Sequence, residues 1–146
     1  MTEKQIIKVR LLLRKEGKIL MLQKSAIKRG TYSLVGGTVE QLEAAKDALI
    51  REAKEEANIQ LDKGLLELVH VIHHHKRGQS IITLIFETDW WKGKIKNLEP
   101  KRHQRFVWTS LQKIPAETVG HIKYALANYR KGIRYSEFNW KPAEKK

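Results

Sequence analysis

The sequence predicts an α/β sandwich built on a mixed β-sheet, and three observations predict it. Apolar runs of strand length recur along the chain, separated by short polar turns. Two amphipathic segments of helix length interrupt them, around residues 42–57 and 116–132. Nothing within the 146 residues reads as a linker, an internal repeat or low-complexity sequence, so one domain spanning 1–146 is expected.

The elements follow in order. "QIIKVRLLLR" and "KILMLQK" flank the turn "KEG" and read as a hairpin over residues 5–23. "SAIKRGTYSLVGG" reads as a loop with a short extended piece at residues 32–35. A helix is expected over residues 42–57, stopping at Asn58, a residue that tolerates the left-handed conformation of a helix end. "LLELVHVIHHH" and "SIITLIFETDWW" are two further strands joined by the polar turn "KRGQ". A loop, "GKIKNLEPKRH", leads into the strand "QRFVWTSL", and "AETVGHIKYALANYRKG" is the second helix.

Composition narrows the function classes. The chain carries 29 Lys+Arg against 16 Asp+Glu, a formal net charge of +13. Such a surface attracts polyanions, either nucleic acid or phosphorylated small molecules, and the basic ending "KPAEKK" adds to it. No apolar run reaches the ~20 residues of a membrane helix. The start "MTEKQIIKVR" lacks the apolar core of a secretory signal, so a cytoplasmic location with no membrane partner is expected. With no cysteine there is neither a disulfide framework nor a thiolate metal site.

Against that basic background, one helical turn is acidic. At about 100° per residue, Glu52, Glu55 and Glu56 share a sector roughly 100° wide. Leu42, Leu49, Ala53 and Ala57 form the neighbouring stripe that faces the sheet. Ala45 and Ala48 fall in the acidic sector, where small side chains leave room beside the carboxylates. Arg51 and Glu55 are four apart and pair. Like charges at this spacing oppose helix formation, and a hard divalent cation reverses the sign by taking the oxygens as ligands. Gly36 and Gly37, just ahead, permit close backbone approach to a bound anion.

These residues resemble the Nudix box, G-x5-E-x7-R-E-U-x-E-E-x-G-U, where U is aliphatic. Gly37 is followed by Glu43, then by Arg51-Glu52, Ala53, Glu55-Glu56 and Ile59. At roughly 7% per fixed residue type, six identities coincide by chance on the order of once in 10⁷ trials. Asn58 stands where the pattern has its last glycine, Ala53 replaces a bulkier aliphatic, and Val35 stands where a proline is common. The rest of the chain is similar to a MutT-like subgroup, through "VRLLLRKEGKILMLQK", "NLEP", the tryptophan strand and "YRKGIRYSEFNW".

The resemblance implies a Nudix-type α/β/α sandwich with a mixed β-sheet, and hydrolysis of a nucleoside diphosphate derivative with Mg²⁺ or Mn²⁺. A (deoxy)nucleoside triphosphate is the first expected substrate. ADP-ribose, dinucleoside polyphosphates, nucleotide sugars and RNA 5′ ends are the alternatives within the family, and a homodimer is a common arrangement. Glu52, Glu55 and Glu56 are implied metal ligands, Arg51 orients them, and Glu43 buttresses the site or meets the metal through water. Glu99, or else Glu52, is the implied base for the attacking water. Gly36 and Gly37 shape the entrance, and Lys24 and Arg102 are placed for phosphate, Arg102 standing where the subgroup commonly has lysine. Two readings from other classes compete. One is a catalytically silent nucleotide- or RNA-binding module, which the complete carboxylate set opposes. The other is a general nucleic-acid binder, whose salt-dependent binding would ignore those glutamates.

Other candidates are read structurally. His73, His74 and His75 abut a hairpin turn and are expected to be solvated, while His70 is expected in the core or half-buried. Trp90, Trp91 and Trp108 are expected to pack rather than stack on a base. Lys28 and Arg29 precede the glycines, and a solvated loop and a phosphate contact serve equally well for them.

Overall fold

In a computed structural model, residues 5–141 are described. The first four residues and the tail from residue 142, which carries most of "KPAEKK", lie outside them. The elements are β1 (Ile6–Lys15), β2 (Lys18–Lys24), β3 (Tyr32–Ser33), β4 (Gly36–Thr38), α1 (Ala45–Ala57), β5 (Glu67–Lys76), β6 (Gln79–Thr88), β7 (His103–Ser110), α2 (Gly120–Arg130) and β8 (Tyr135–Phe138).

β1 organises the sheet. One edge runs parallel to β6 from Ile6 to Leu13, while the other holds antiparallel β4 at Lys8 to Arg10 and then β2 at Arg14 and Lys15. β2 carries β7 and β3, and β5 lies between antiparallel β6 and parallel β8. The sheet is therefore mixed, as expected. Strand alternation sorts the side chains into two layers. Val9, Leu11 and Leu13 pack with Leu20, Leu22, Phe86 and the α1 residues Leu49, Ala53 and Ala57. Leu12 faces the other way, with Ile19, Met21, Ile72, Ile85 and the α2 residues Ile122, Ala125 and Leu126. A helix thus covers each face, which is the α/β/α sandwich.

Several boundaries differ from the sequence reading for identifiable reasons. α1 begins at Ala45, not at residue 42: Leu42 is fully exposed at φ 64°, and the Glu43 carboxylate accepts the Glu40 N–H outside the helix. Asn58 does end it in the left-handed conformation, at φ 62°. Ala48 is fully buried and Ala45 packs on the same cluster, so these alanines fill the core instead of leaving room beside the acids. Residues 36–38 form a strand because the β1 edge offers partners there. β8 escaped notice because its four residues are mostly polar, with only Ser136 buried. β6 ends at Thr88, leaving Trp90 and Trp91 beyond it.

Gly36 is required by that β1 edge. A Cβ there would lie 1.9 Å from the Val9 carbonyl oxygen, which belongs to the sheet and cannot retreat. Gly36→Ala therefore unpairs β4 from β1 and costs about 3 kcal/mol of stability in urea denaturation. A cost under about 0.5 kcal/mol would mean that the contact is not as close as described.

The histidines correct one expectation. His74 is buried, its Nε2 is 2.8 Å from Thr83 Oγ1, and its ring stacks on His121 at 4.0 Å. β5 continues past the run to Lys76, so only alternate rings turn outward. His70 is a core residue as expected: Nδ1 donates to Ile133 O and Nε2 accepts from Ser136 Oγ, both at 2.8 Å. The carbonyl only accepts, which fixes this tautomer. Burial is the largest cause depressing His74, to about 4, followed by the Lys8, Arg10 and Lys76 cations. Unfolded histidine titrates near 6.5, so below that pH the unfolded chain takes up a proton that the folded chain refuses. Stability falls as the pH drops, by on the order of 2 kcal/mol from His74 between pH 6.5 and 5. Denaturant melts at pH 7 and pH 5 check this; His74→Gln should flatten the slope, and an unchanged slope would locate the effect elsewhere.

Candidate active site

Arg51 is the hub of the acidic helix. Its guanidinium grips both Glu43 oxygens, at 2.8 and 3.0 Å, donates to Glu52 Oε1 at 3.0 Å and to Thr38 O at 3.3 Å, and meets Glu55 Oε2 at 3.5 Å. The Arg51 hydrogen bonds, then the Glu40 N–H, hold the Glu43 carboxyl down to about 2. Both Glu43 oxygens are thus bonded to Arg51, which also links α1 to β4 through the Thr38 carbonyl.

Glu52 and Glu56 face inward. Glu56 accepts the Gly36 N–H at 2.9 Å. Burial pushes its carboxyl up to about 7; that N–H opposes the rise, and the Glu52 charge adds to it. Burial likewise raises Glu52, against the pull of Arg51. Gly37 makes the space for Glu52: a Cβ at Gly37 would stand 2.4 Å from Glu52 Oε1. Glu55 is different. Its side chain is 54% exposed and meets Arg51.

The inward pair opens into a cleft of about 1110 Å³. Gly36, Gly37, Lys24 and Arg102 line it with Glu52 and Glu56, so these sequence-predicted residues come together. Lys28 and Arg29 reach its edge as exposed loop residues. Burial, followed by neighbouring cations, lowers the Lys24 ammonium to about 8. Glu99 does not line the cleft. Its carboxylate pairs with Arg102 at 3.0 Å, and its carbonyl accepts the N–H groups of Arg102 and His103. The loop carrying it is tied to the end of α1, since Leu98 N–H donates to Glu56 O and Lys96 N–H to Ala57 O. That attachment brings the Glu99 charge close enough to contribute to the raised Glu56 carboxyl.

Several cleft residues escaped the sequence reading, Arg10 and His103 among them. Arg10 donates from Nη1 to Leu34 O at 3.0 Å, and its buried Nε has no partner among the described residues. Its signal was present: in "IIKVRLLLR" alternation puts Arg10 on the face of Leu12, where a charge in a buried strand needs an anion. His103 is buried with Nε2 3.7 Å from Glu56 Oε2, beyond hydrogen-bonding reach. Burial lowers its pKa, so near neutral pH it is an uncharged neighbour and not an ion-pair partner. The tryptophans stay out of the cleft: Trp91 and Trp108 pack on the core with ring centroids 5.8 Å apart.

This geometry accords with a match over most of the chain. The NUDIX domain pattern fits residues 5–129. The chain belongs to the NUDIX family. Among NUDIX relatives, the CTP pyrophosphohydrolase of Escherichia coli (strain K12) is 31% identical over 109 residues, covering 73% of this chain and 77% of that protein. The crystal structure of a MutT NUDIX hydrolase from Burkholderia pseudomallei superposes with a TM-score of 0.78 at 26% identity, covering 86% of this chain and 98% of that one. The MutT protein of Methanosarcina mazei Go1, at 23% identity and a TM-score of 0.76, shares the fold over 90% of this chain and 96% of its own.

NUDIX hydrolases generally use divalent metals, and the donor set here suits a hard cation: oxygens from Glu52, Glu55 and Glu56, with space preserved at Gly37. Among the described residues no three acidic or histidine side chains already converge on one point. Arg51 holds Glu52 Oε1 at 3.0 Å and Glu55 Oε2 at 3.5 Å. The 3.5 Å contact to exposed Glu55 is the longest of its carboxylate hydrogen bonds and the easiest to give up.

Proposed function

We propose that the chain is a Mg²⁺- or Mn²⁺-dependent pyrophosphohydrolase of (deoxy)nucleoside triphosphates. The observation that carries this reading is an inward-facing carboxylate pair, half-buried Glu52 and buried Glu56, opening into a cleft lined by Arg10, Lys24 and Arg102. Glu52, Glu55 and Glu56 would hold the cation, which supplies neutralisation of the diphosphate charge and Lewis acidity toward its oxygens. Arg51 and Glu43 position the carboxylates, and the Gly36 N–H anchors Glu56. Arg10, Lys24 and Arg102 take the phosphate oxygens and hold the chain in line for attack by water.

Of the two candidate bases, Glu52 lines the cleft and has a carboxyl raised by burial, which makes it the better proton acceptor at neutral pH. Glu99 then acts on Glu56 through its charge. On this assignment Glu99→Gln lowers kcat less than about tenfold, and Glu52→Gln lowers it far more. The reverse order would make Glu99 the base.

CTP heads the substrate panel because a relative is a CTP pyrophosphohydrolase. Incubation of each triphosphate with Mg²⁺, followed by product chromatography, should give a monophosphate and pyrophosphate. No turnover of any triphosphate would sink the reading and favour a silent binding module. One domain carrying the whole reaction, in the cytoplasm, belongs to the same proposal. No helix among the described residues is long and apolar enough to cross a membrane. RNA 5′ ends and a homodimer draw no support from the comparisons.

A further inference from the structure

The cleft has more positive charge than a metal-bound phosphate chain uses. At the end away from the acidic turn, Lys8 on β1 and Lys76 and Arg77 at the β5–β6 turn line the same cavity. Sheet register measures the separation. Arg10 pairs with Ile85 and Ile85 with His70, so Lys8 lies two residues along β1 from Arg10, roughly 7 Å, and Lys76 six residues along β5 from the Arg10 row, roughly 20 Å of backbone. A phosphate chain folded onto an ion at Glu52 and Glu56 covers only part of that length.

Among the described residues, no carboxylate forms an ion pair with Lys8, Lys76 or Arg77. Lys8 is half-buried, and burial lowers its ammonium, with Arg10 and Lys76 pushing the same way and no acidic group opposing. Like charges gathered in a concave surface raise its free energy until an anion enters.

A nucleotide's charge resides on its phosphates. With the 5′ chain on the acidic turn, a second anion must be attached elsewhere on the nucleotide. We propose that Lys8, Lys76 and Arg77 form a second anion site that takes a phosphate borne on the ribose 3′ oxygen of the substrate. The inference rests on the nucleotide reading above and deepens it. The 3′ phosphate has two sources, a terminal monoester or the diester that continues an oligonucleotide.

Calorimetry separates the outcomes without turnover. The probes are a nucleoside 5′-monophosphate, the matching 3′,5′-bisphosphate and a 5′-phosphorylated dinucleotide. They are titrated into the wild type and into a Lys76→Gln/Arg77→Asn variant. Both positions are exposed, and asparagine suits Arg77, whose φ is 50°. In the wild type the bisphosphate should bind at least tenfold tighter than the monophosphate, with a steeper loss in salt. In the variant that gap should shrink to about twofold. A dinucleotide matching the bisphosphate assigns the site to a continuing chain; one matching the monophosphate assigns it to a terminal monoester. Equal binding of mono- and bisphosphate to the wild type, or equal weakening of both in the variant, overturns the proposal. A binding gap without triphosphate turnover would instead sink the hydrolase reading and leave the second site standing.

Discussion

Glu55→Gln should lower kcat for triphosphate hydrolysis by about 10²- to 10³-fold while leaving the melting temperature almost unchanged. The two halves of that expectation have separate causes. Among the described residues Glu55 makes one polar contact, 3.5 Å to Arg51, and its side chain is 54% exposed, so glutamine removes little from the fold. An exposed pair of this kind is worth under about 1 kcal/mol. Function is another matter, because glutamine keeps the shape and removes the charge that a hard cation requires. Glu52 and Glu56 would be less clean targets, since Glu52 is half-buried, Glu56 is buried and both are bonded, so their variants mix folding with chemistry. Steady-state kinetics beside a thermal melt makes the comparison. A kcat within threefold of wild type would remove Glu55 from the site.

Gly37→Ala should cost about 10²-fold in kcat with a stability loss of about 1 kcal/mol, the opposite balance from Gly36→Ala. The new methyl would stand 2.4 Å from Glu52 Oε1 and 2.5 Å from its Cδ. What it meets is the end of a side chain, so the fold yields by swinging the carboxylate away. That motion breaks the 3.0 Å bond to Arg51 and displaces an oxygen meant for the ion. At Gly36 the obstacle is a sheet carbonyl, which cannot move without unpairing the strand. Two adjacent glycines therefore separate chemistry from folding. If Gly37→Ala retained full kcat, the Glu52 carboxylate would have no fixed place in catalysis.

Much of this was legible in the residues, and the parts that were not have physical reasons. The strand runs "QIIKVRLLLR" and "KILMLQK" were readable, and in the fold their alternation sets Val9 and Leu11 opposite Leu12. The spacing from Gly37 to Glu56 carried the family, which the NUDIX match over residues 5–129 shows. The Asn58 helix stop was readable because few side chains accept that backbone shape. Hairpin geometry was readable too, but not depth, so His74 was expected in water and lies in the core against His121. Helical spacing puts Ala45 and Ala48 beside the acids on a wheel, yet in the fold both join the apolar cluster. Arg10 was legible from strand alternation but went unread, whereas His103 enters the cleft through its approach to Glu56, which no local spacing encodes.

The central claim is that the turn carrying Glu52, Glu55 and Glu56 grips a divalent ion beneath a diphosphate. Crystals grown with Mn²⁺ and a non-hydrolysable triphosphate analogue test it through the anomalous signal of the metal. The account predicts a peak at about 2.1 to 2.2 Å from oxygens of that turn, with the phosphate chain facing Arg10 and Lys24. A chain bound elsewhere, or a phosphate chain in the cleft with no ion at that turn, would contradict it.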